Sequence, residues 1–144
     1  MTDREIVQQR TFDAPPEAVY EAWTRPAHVT RWWGPNGFTT TTEHMDVRPG
    51  GEWRYVMHGP DGADFPNLIE YHDVVPAQRL VYTHGDGTPD DSNAFEVEIT
   101  FDRAGGRTDL TMRAVFKTAE ARDYVIREFH ADEGGRQTLA RLAG

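Results

Sequence analysis

The chain has 144 residues, 38% of them hydrophobic and 27% charged, and its formal net charge at pH 7 is -9. This length predicts one domain over residues 1–144, and the acidic balance argues against nucleic acid or an anionic membrane surface as a partner. Cysteine is absent, which excludes disulfides, thiol catalysis and thiolate zinc sites. Neither a membrane-spanning apolar run nor a secretory leader is visible, so a cytoplasmic location is the default expectation.

The N-terminal region predicts one strand followed by two short helices. Ile6 to Phe12 has strand character, and DAPPEAVYEAW predicts a helix that either Asp13 or a proline-fixed turn opens. RPAHVTRWW predicts a second short helix with Pro26 near its first position, and the glycines and proline of GPNG end it.

Two adjacent tryptophans close this second helix. Neighbouring helical residues point about 100° apart, so Trp32 and Trp33 cannot share one direction. The phase of the helix favours Trp32 as the core residue, with Trp33 at a cavity entrance or half exposed.

The central region predicts consecutive antiparallel strands. FTTTTEHMDV is rich in β-branched threonine, and EWRYVMH alternates apolar and polar residues, as a strand with one buried face does. FPNLIEYHDVV and RLVYTH flank a predicted turn at Pro76 and Ala77. The alternation is clearest in FEVEITF and DLTMRAVF, on either side of the RAGGR turn, and it predicts a sheet with one wet and one apolar face.

The C-terminal region changes to helical spacing at Thr118, whose hydroxyl is a suitable cap. Gly134 and Gly135 interrupt this pattern at about 1 kcal/mol per glycine relative to alanine, so continuity of the helix is left open. The element order predicts an α+β fold in which a curved antiparallel sheet of about seven strands wraps around the C-terminal helix. Such a sheet leaves room for a cavity between its concave face and the helix.

Strand pairing predicts which side chains meet on the concave face. With a tight turn at Pro76 and Ala77, the expected opposite pairs are Tyr71 with Tyr82 and Ile69 with His84. The GPDGAD loop is expected to place Tyr55 near Asn67. His84 and Asn67 stand out as polar groups among aromatic ones. They either orient a ligand or satisfy backbone groups at the end of a strand.

Six motifs cover nearly the whole chain in the order FDAPPEAVYEAWTRP, RWWGPNGFT, DVRPGGEWRYVMHGPDG, VVPAQRLVYTHG, FEVEITFDRAGGRTDLTMR and EGGRQTLARLAG. Together they resemble the bacterial branch of the Activator of Hsp90 ATPase homologue (AHSA1-like) family, in the START/Bet v 1-like (SRPBCC) superfamily. The resemblance implies a helix-grip fold with a hydrophobic cavity. Eukaryotic members add a separate domain that contacts Hsp90, whereas bacterial single-domain members look like small-molecule binding proteins. Gly135 stands where many bacterial members carry tryptophan, and the EGGRQTL form together with FPN and THG looks like a distinct subgroup.

The sequence contains few arrangements of residues that suggest metal binding or catalysis. The six histidines have no metal-ligand spacing, and Ser92, the only serine, lies in a predicted loop. Neither a metal site nor a Ser-His-Asp mechanism is therefore expected, and no cofactor is implied. Acid–base chemistry would fall to His84, Glu128 or Asp132, and no residue is assigned as catalytic.

The leading hypothesis is a protein that binds a small hydrophobic molecule in the cavity. The alternatives are an enzyme of polyketide cyclase, dehydratase or hydrolase type acting on a bulky hydrophobic substrate, and an interaction module that stimulates a chaperone ATPase. A homodimer is left open. The expected ligand-binding residues are Trp33, Phe38, Trp53, Tyr55, Met57, Asn67, Ile69, Tyr71, Tyr82, His84, Phe95, Val97, Met112, Glu128 and Asp132.

Overall fold

The computed structural model of the chain describes residues 4–33, 37–85, 94–129 and 139. Its elements follow the order that the sequence predicts. The strands are β1 (Glu5–Phe12), β2 (Thr39–Met45), β3 (Glu52–His58), β4 (Asp64–Val75), β5 (Arg79–Gly85), β6 (Phe95–Ala104) and β7 (Arg107–Phe116). The helices are α1 (Pro16–Thr24), α2 (Pro26–Trp32) and α3 (Ala119–Phe129).

One antiparallel sheet contains all of these strands, in the spatial order β1-β7-β6-β5-β4-β3-β2. The predicted α+β architecture with seven strands is thereby confirmed. The register also confirms the two predicted opposite pairs, Ile69 with His84 and Tyr71 with Tyr82. Tyr55, predicted near Asn67, lies directly opposite it. The β4–β5 turn that sets the last two pairs closes with a 3.0 Å bond from the Gln78 N–H to the Val75 carbonyl.

Two irregularities of the sheet were not predicted from the sequence. The pairing shifts between Thr42 and His44 in β2 and between Tyr71 and Asp73 in β4. A bulge reverses the facing of every later residue in its strand. As a result Val74, opposite Leu80, packs on the core, where strict alternation from Tyr71 would have placed Asp73.

The two short helices begin at prolines, as predicted. Pro16 occupies the first turn of α1, and its N-cap Pro15 makes no side-chain cap bond, so the proline-fixed turn opens this helix. Pro26 begins α2 in the same way, because a missing N–H costs nothing at a helix start. α1 packs against β6 and β7, and α2 packs against β2.

Helix α3 begins at the predicted cap, where the Ala121 N–H donates to the Thr118 hydroxyl over 3.0 Å. Its described part ends at Phe129, and the question of continuity through Gly134 and Gly135 falls outside the described residues. Within the described part of the chain, no helix is long and apolar enough to cross a membrane.

The sheet has one apolar and one polar face, as the alternation predicts. On the concave face Trp53, Tyr55, Tyr82 and Ile99 are almost fully buried in one core cluster. The convex face carries ion pairs across strands, for example Arg79 with Asp73 and Glu98. The candidate site therefore has to be sought on the concave face.

Candidate functional site

Four side chains on the concave face form one hydrogen-bonded chain, called the relay below: Trp33, Tyr55, His84 and Asn67. The Trp33 indole N–H donates to the Tyr55 hydroxyl oxygen over 3.0 Å. The Nε2 atom of His84 lies 3.0 Å from that hydroxyl and 2.9 Å from Oδ1 of Asn67. The relay thus joins the end of α2 to strands β3, β4 and β5.

The position of the Asn67 amide determines where the proton of His84 lies. Its Nδ2 atom donates to the Phe65 carbonyl over 2.8 Å, so Oδ1 must be the atom that meets His84. Because a carboxamide oxygen only accepts, the Nε2 atom of His84 has to carry a hydrogen. In the neutral ring the lone pair then resides on Nδ1. The single Nε2 hydrogen is shared between Asn67 Oδ1 and the Tyr55 hydroxyl oxygen, which also accepts from Trp33.

The relay is surrounded by stacked aromatic rings. Tyr55 stacks on Trp53 with ring centroids 4.1 Å apart, and His84 lies 5.0 Å from the ring of Phe95. Phe95 in turn packs against Phe116 at 4.5 Å. Such contacts shield the Tyr55 end of the relay from water and strengthen its hydrogen bonds.

Accessibility rises along the relay. Tyr55 is 0% exposed, whereas His84 and Asn67 are partly exposed. Met57, near the end of β3, and Phe95, at the start of β6, are also partly exposed. The relay therefore leads from the buried core toward the protein surface.

Three buried tyrosines occupy the middle of the concave face. Burial is the main cause that raises the pKa of Tyr55, Tyr71 and Tyr82 above the usual tyrosine range. For Tyr82 the nearby Tyr55 adds to the rise and the Trp23 indole opposes it. That indole nevertheless lies outside hydrogen-bond geometry, and the buried Tyr82 hydroxyl has no partner in the described part of the chain.

The structure places the predicted site residues unequally. Trp53, Tyr55, Ile69, Tyr71, Tyr82 and Val97 are buried core residues of the concave face, and Met57, Asn67, His84, Phe95 and Met112 are its partly buried ones. Phe38 packs against Phe65 with centroids 6.0 Å apart. The Glu128 side chain and the whole of Asp132 fall outside the described residues.

Trp33 requires a correction. The half-exposed position expected for it is wrong, because Trp32 and Trp33 are both 6% exposed. Trp33 leaves the helical path at the C-cap of α2, so its ring does not keep the 100° separation that a continuing helix gives. Its ring reaches Trp53 at 5.0 Å and Trp23 at 5.9 Å, while the Trp32 indole donates to the Ala22 carbonyl over 3.0 Å.

Sequence reasoning missed two threonines that support the relay. The Thr40 hydroxyl donates to the Trp33 carbonyl over 3.1 Å, and the Trp53 indole donates to the Thr42 hydroxyl over 3.1 Å. Their even spacing in the TTTT run was the available signal, because alternate residues of a strand share a face. These bonds fix the two tryptophans, whose rings contact each other and the ring of Tyr55.

A second polar cluster lies on the convex face. Thr41 Oγ1 is 2.8 Å from Nε2 of His58, whose Nδ1 is 2.7 Å from Oδ1 of Asp64. This order of groups resembles that of a nucleophilic triad. All three residues line the open polar face, with Asp64 63% exposed, so the cluster lacks the enclosed site that such chemistry needs and is best described as a cross-strand contact.

Metal binding finds no support in the described residues. Among them no group of three or more histidine, aspartate or glutamate side chains could hold an ion.

Sequence comparison identifies relatives over most of the chain. The family profile described as Activator of Hsp90 ATPase homolog 1-like protein matches residues 13–144. The uncharacterized protein C1711.08 of Schizosaccharomyces pombe is 32% identical over 108 residues, which make up 75% of this chain. The match spans only 28% of that protein's length.

Solved structures share the architecture. A protein from Arthrobacter aurescens has a TM-score of 0.91 at 23% identity, over 98% of this chain and 84% of its own. CV1439 from Chromobacterium violaceum has a TM-score of 0.81 at 25% identity, over 96% and 94%. The AHSA1 protein from Silicibacter pomeroyi has a TM-score of 0.76 at 24% identity, also over 96% and 94%. These likenesses confirm the helix-grip fold.

Proposed function

This chain belongs to the family of Activator of Hsp90 ATPase homolog 1-like proteins, and we propose that it binds a small hydrophobic molecule against the concave face of its sheet. The relay is the observation that carries the proposal. A core that only had to pack would be served by apolar side chains, because a buried polar network is costly unless every member is satisfied. Here the network ends at the partly exposed His84 and Asn67.

The residues divide into two roles. His84 contacts the polar group of the ligand, and Phe95, Met57 and Met112 contact its apolar body. Tyr55 and Asn67 act through His84, because they hold its ring in one orientation and one tautomer.

Two experiments test this proposal. Organic extraction of the purified protein followed by mass spectrometry should yield a co-purified hydrophobic molecule. Titration with Nile red, a neutral fluorophore, should show saturable binding that His84→Gln weakens about fivefold, the worth of one hydrogen bond. His58→Gln is the matched control, since it changes the same residue type on the convex face. If the wild type carries no ligand and shows no saturable binding, the proposal is wrong.

The enzymatic alternative is favoured by one observation, the tautomer of His84. With the hydrogen on Nε2, the neutral ring has its basic lone pair on Nδ1. A polyketide cyclase, dehydratase or hydrolase would use this nitrogen as a general base. Once a ligand is known, its turnover and binding can be measured in the His84→Gln variant. If the variant no longer turns the ligand over but retains most of its affinity for it, the protein is an enzyme.

The chaperone alternative is drawn from the family's printed name. It predicts that the purified chain accelerates the ATPase of an Hsp90-type chaperone. If no acceleration occurs at saturating concentration, this alternative is removed, and the ligand-binding proposal is unaffected.

A further inference from the structure

A cavity of about 210 Å³ lies away from the relay, at the edge strand β1. Gln8, Gln9, Arg10 and Leu139 line it. Complete small-molecule pockets measure roughly 300–1,000 Å³, so this cavity suits one end of a molecule. Leu139 belongs to the core cluster, and Met112, opposite Gln8, packs against that cluster. The apolar wall of the cavity is therefore continuous with the concave face.

Arg10 faces the same side of the sheet as the core residue Phe12, because alternate residues of β1 share a face. It pairs across the sheet with Leu110, not with an acid. Arg10 forms no ion pair with any residue of the described ranges.

Most arginines with a described side chain form an ion pair, in a chain in which 24 acidic residues outnumber 15 lysines and arginines. The arginines that form ion pairs with described carboxylates are Arg25, Arg48, Arg79, Arg103, Arg107, Arg113 and Arg122. Arg10 and Arg54 form none within the described ranges, and of these two Arg10 is the one that lines the cavity. An anion that enters the cavity can therefore pair with the Arg10 guanidinium.

We propose that this cavity binds the carboxylate of an amphipathic organic acid, with Arg10 as its anchor. The inference rests on the proposed function and names the class of its ligand. The planar guanidinium donates two parallel hydrogen bonds to a carboxylate, and the Gln8 amide lies on the same face beside it. The apolar part of the acid lies against Leu139 and Met112, toward the concave face.

Calorimetric titration with sodium octanoate, octan-1-ol and sodium acetate tests the proposal at low ionic strength. Arg10→Gln should weaken octanoate binding at least about tenfold and leave octan-1-ol binding within about twofold. Arg54→Gln is the matched control, because it also removes one positive charge. Arg54 likewise has no described ion-pair partner, but it lies on the convex face of β3. Acetate, which lacks an apolar part, should not displace octanoate.

Several outcomes overturn the inference. If Arg10→Gln and the wild type bind octanoate with equal affinity, Arg10 is not the anchor. If acetate displaces octanoate, the cavity is a simple anion site. Failure of octanoate to bind the wild type also refutes it. The Nile red titration with His84→Gln judges the proposed function separately, so a protein that binds Nile red but not octanoate retains the first proposal and loses the second.

Discussion

The Nε2 atom of His84 lies 2.9 Å from Oδ1 of Asn67, whose Nδ2 is held by the Phe65 carbonyl at 2.8 Å. Reversing the amide would place its oxygen against the Phe65 carbonyl oxygen. The contact with Phe65 therefore orients the asparagine, and the asparagine determines the tautomer of the imidazole.

This relationship predicts that neutral His84 carries its hydrogen on Nε2. Long-range ¹H–¹⁵N NMR correlations of the ring distinguish the two tautomers directly. In Asn67→Ala the acceptor is lost, and we expect the population of the other tautomer to rise. If the neutral His84 ring of the wild-type protein carries its hydrogen on Nδ1, the orientation assigned to the Asn67 amide is wrong, and so are the roles of His84 derived from it.

A double-mutant cycle tests the bond between Trp33 and Tyr55. Trp33→Phe removes the indole N–H that donates to the buried Tyr55 hydroxyl, and Tyr55→Phe removes the acceptor. We expect a coupling of about 1 kcal/mol in the free energy of unfolding, measured by urea denaturation of both single variants and the double variant.

The neighbouring tryptophan supplies the control for this cycle. The Trp32 indole donates to the Ala22 carbonyl and not to Tyr55. Trp32→Phe combined with Tyr55→Phe should therefore show a coupling near zero. Equal coupling in the two cycles would mean that a general effect of tryptophan truncation, and not the hydrogen bond, accounts for the coupling of Trp33 to Tyr55.

Much of the fold could be predicted from the sequence, because the alternation of apolar and polar residues along strands and the choice of turn residues depend on local chemistry. The pairs Tyr71–Tyr82 and Ile69–His84 followed from one tight turn, and that turn was correct. The bulge after Tyr71 was invisible, because an inserted residue such as His72 has no characteristic composition. Trp33 was placed wrongly because its direction depends on where α2 ends, and helix boundaries are set by the whole packing.

Only part of the site could be predicted for a similar reason. His84 and Asn67 were recognisable as polar residues at apolar strand positions, and the register then brings them together. Arg10 was overlooked because an arginine on an edge strand is ordinary in any sequence. The anchoring role proposed for it rests on the cavity that it lines and on the absence of an ion-pair partner among the described residues.

Ala77 offers a test of the β4–β5 turn. It is the one non-glycine residue of the described ranges with a positive φ, 61°, a conformation that costs an L-residue about 1–2 kcal/mol. Ala77→Gly relieves this cost but makes the unfolded chain more flexible, so we expect a net stabilisation of about 0.5–1 kcal/mol. Ala104→Gly, at the end of β6 without a positive φ, should instead destabilise. Loss of stability in Ala77→Gly would contradict the turn geometry.

The buried tyrosines predict a loss of stability in alkaline solution. Burial raises the pKa of Tyr55, Tyr71 and Tyr82 in the folded chain, whereas the unfolded chain releases these protons near pH 10. The folded state then holds more protons, so the free energy of unfolding is unaffected below about pH 10 and falls above it by about 1.4 kcal/mol per pH unit for each tyrosine.

Alkaline titration tests this prediction. Phenolate absorbance should rise together with loss of circular dichroism, and Tyr71→Phe should reduce the slope of the unfolding free energy against pH by the contribution of one tyrosine. Tyr82→Phe should reduce it equally while leaving stability at pH 7 unchanged or higher, because the hydroxyl it removes is buried without a described partner. Phenolate formation by all three tyrosines in a chain that keeps its circular dichroism would contradict the buried assignment.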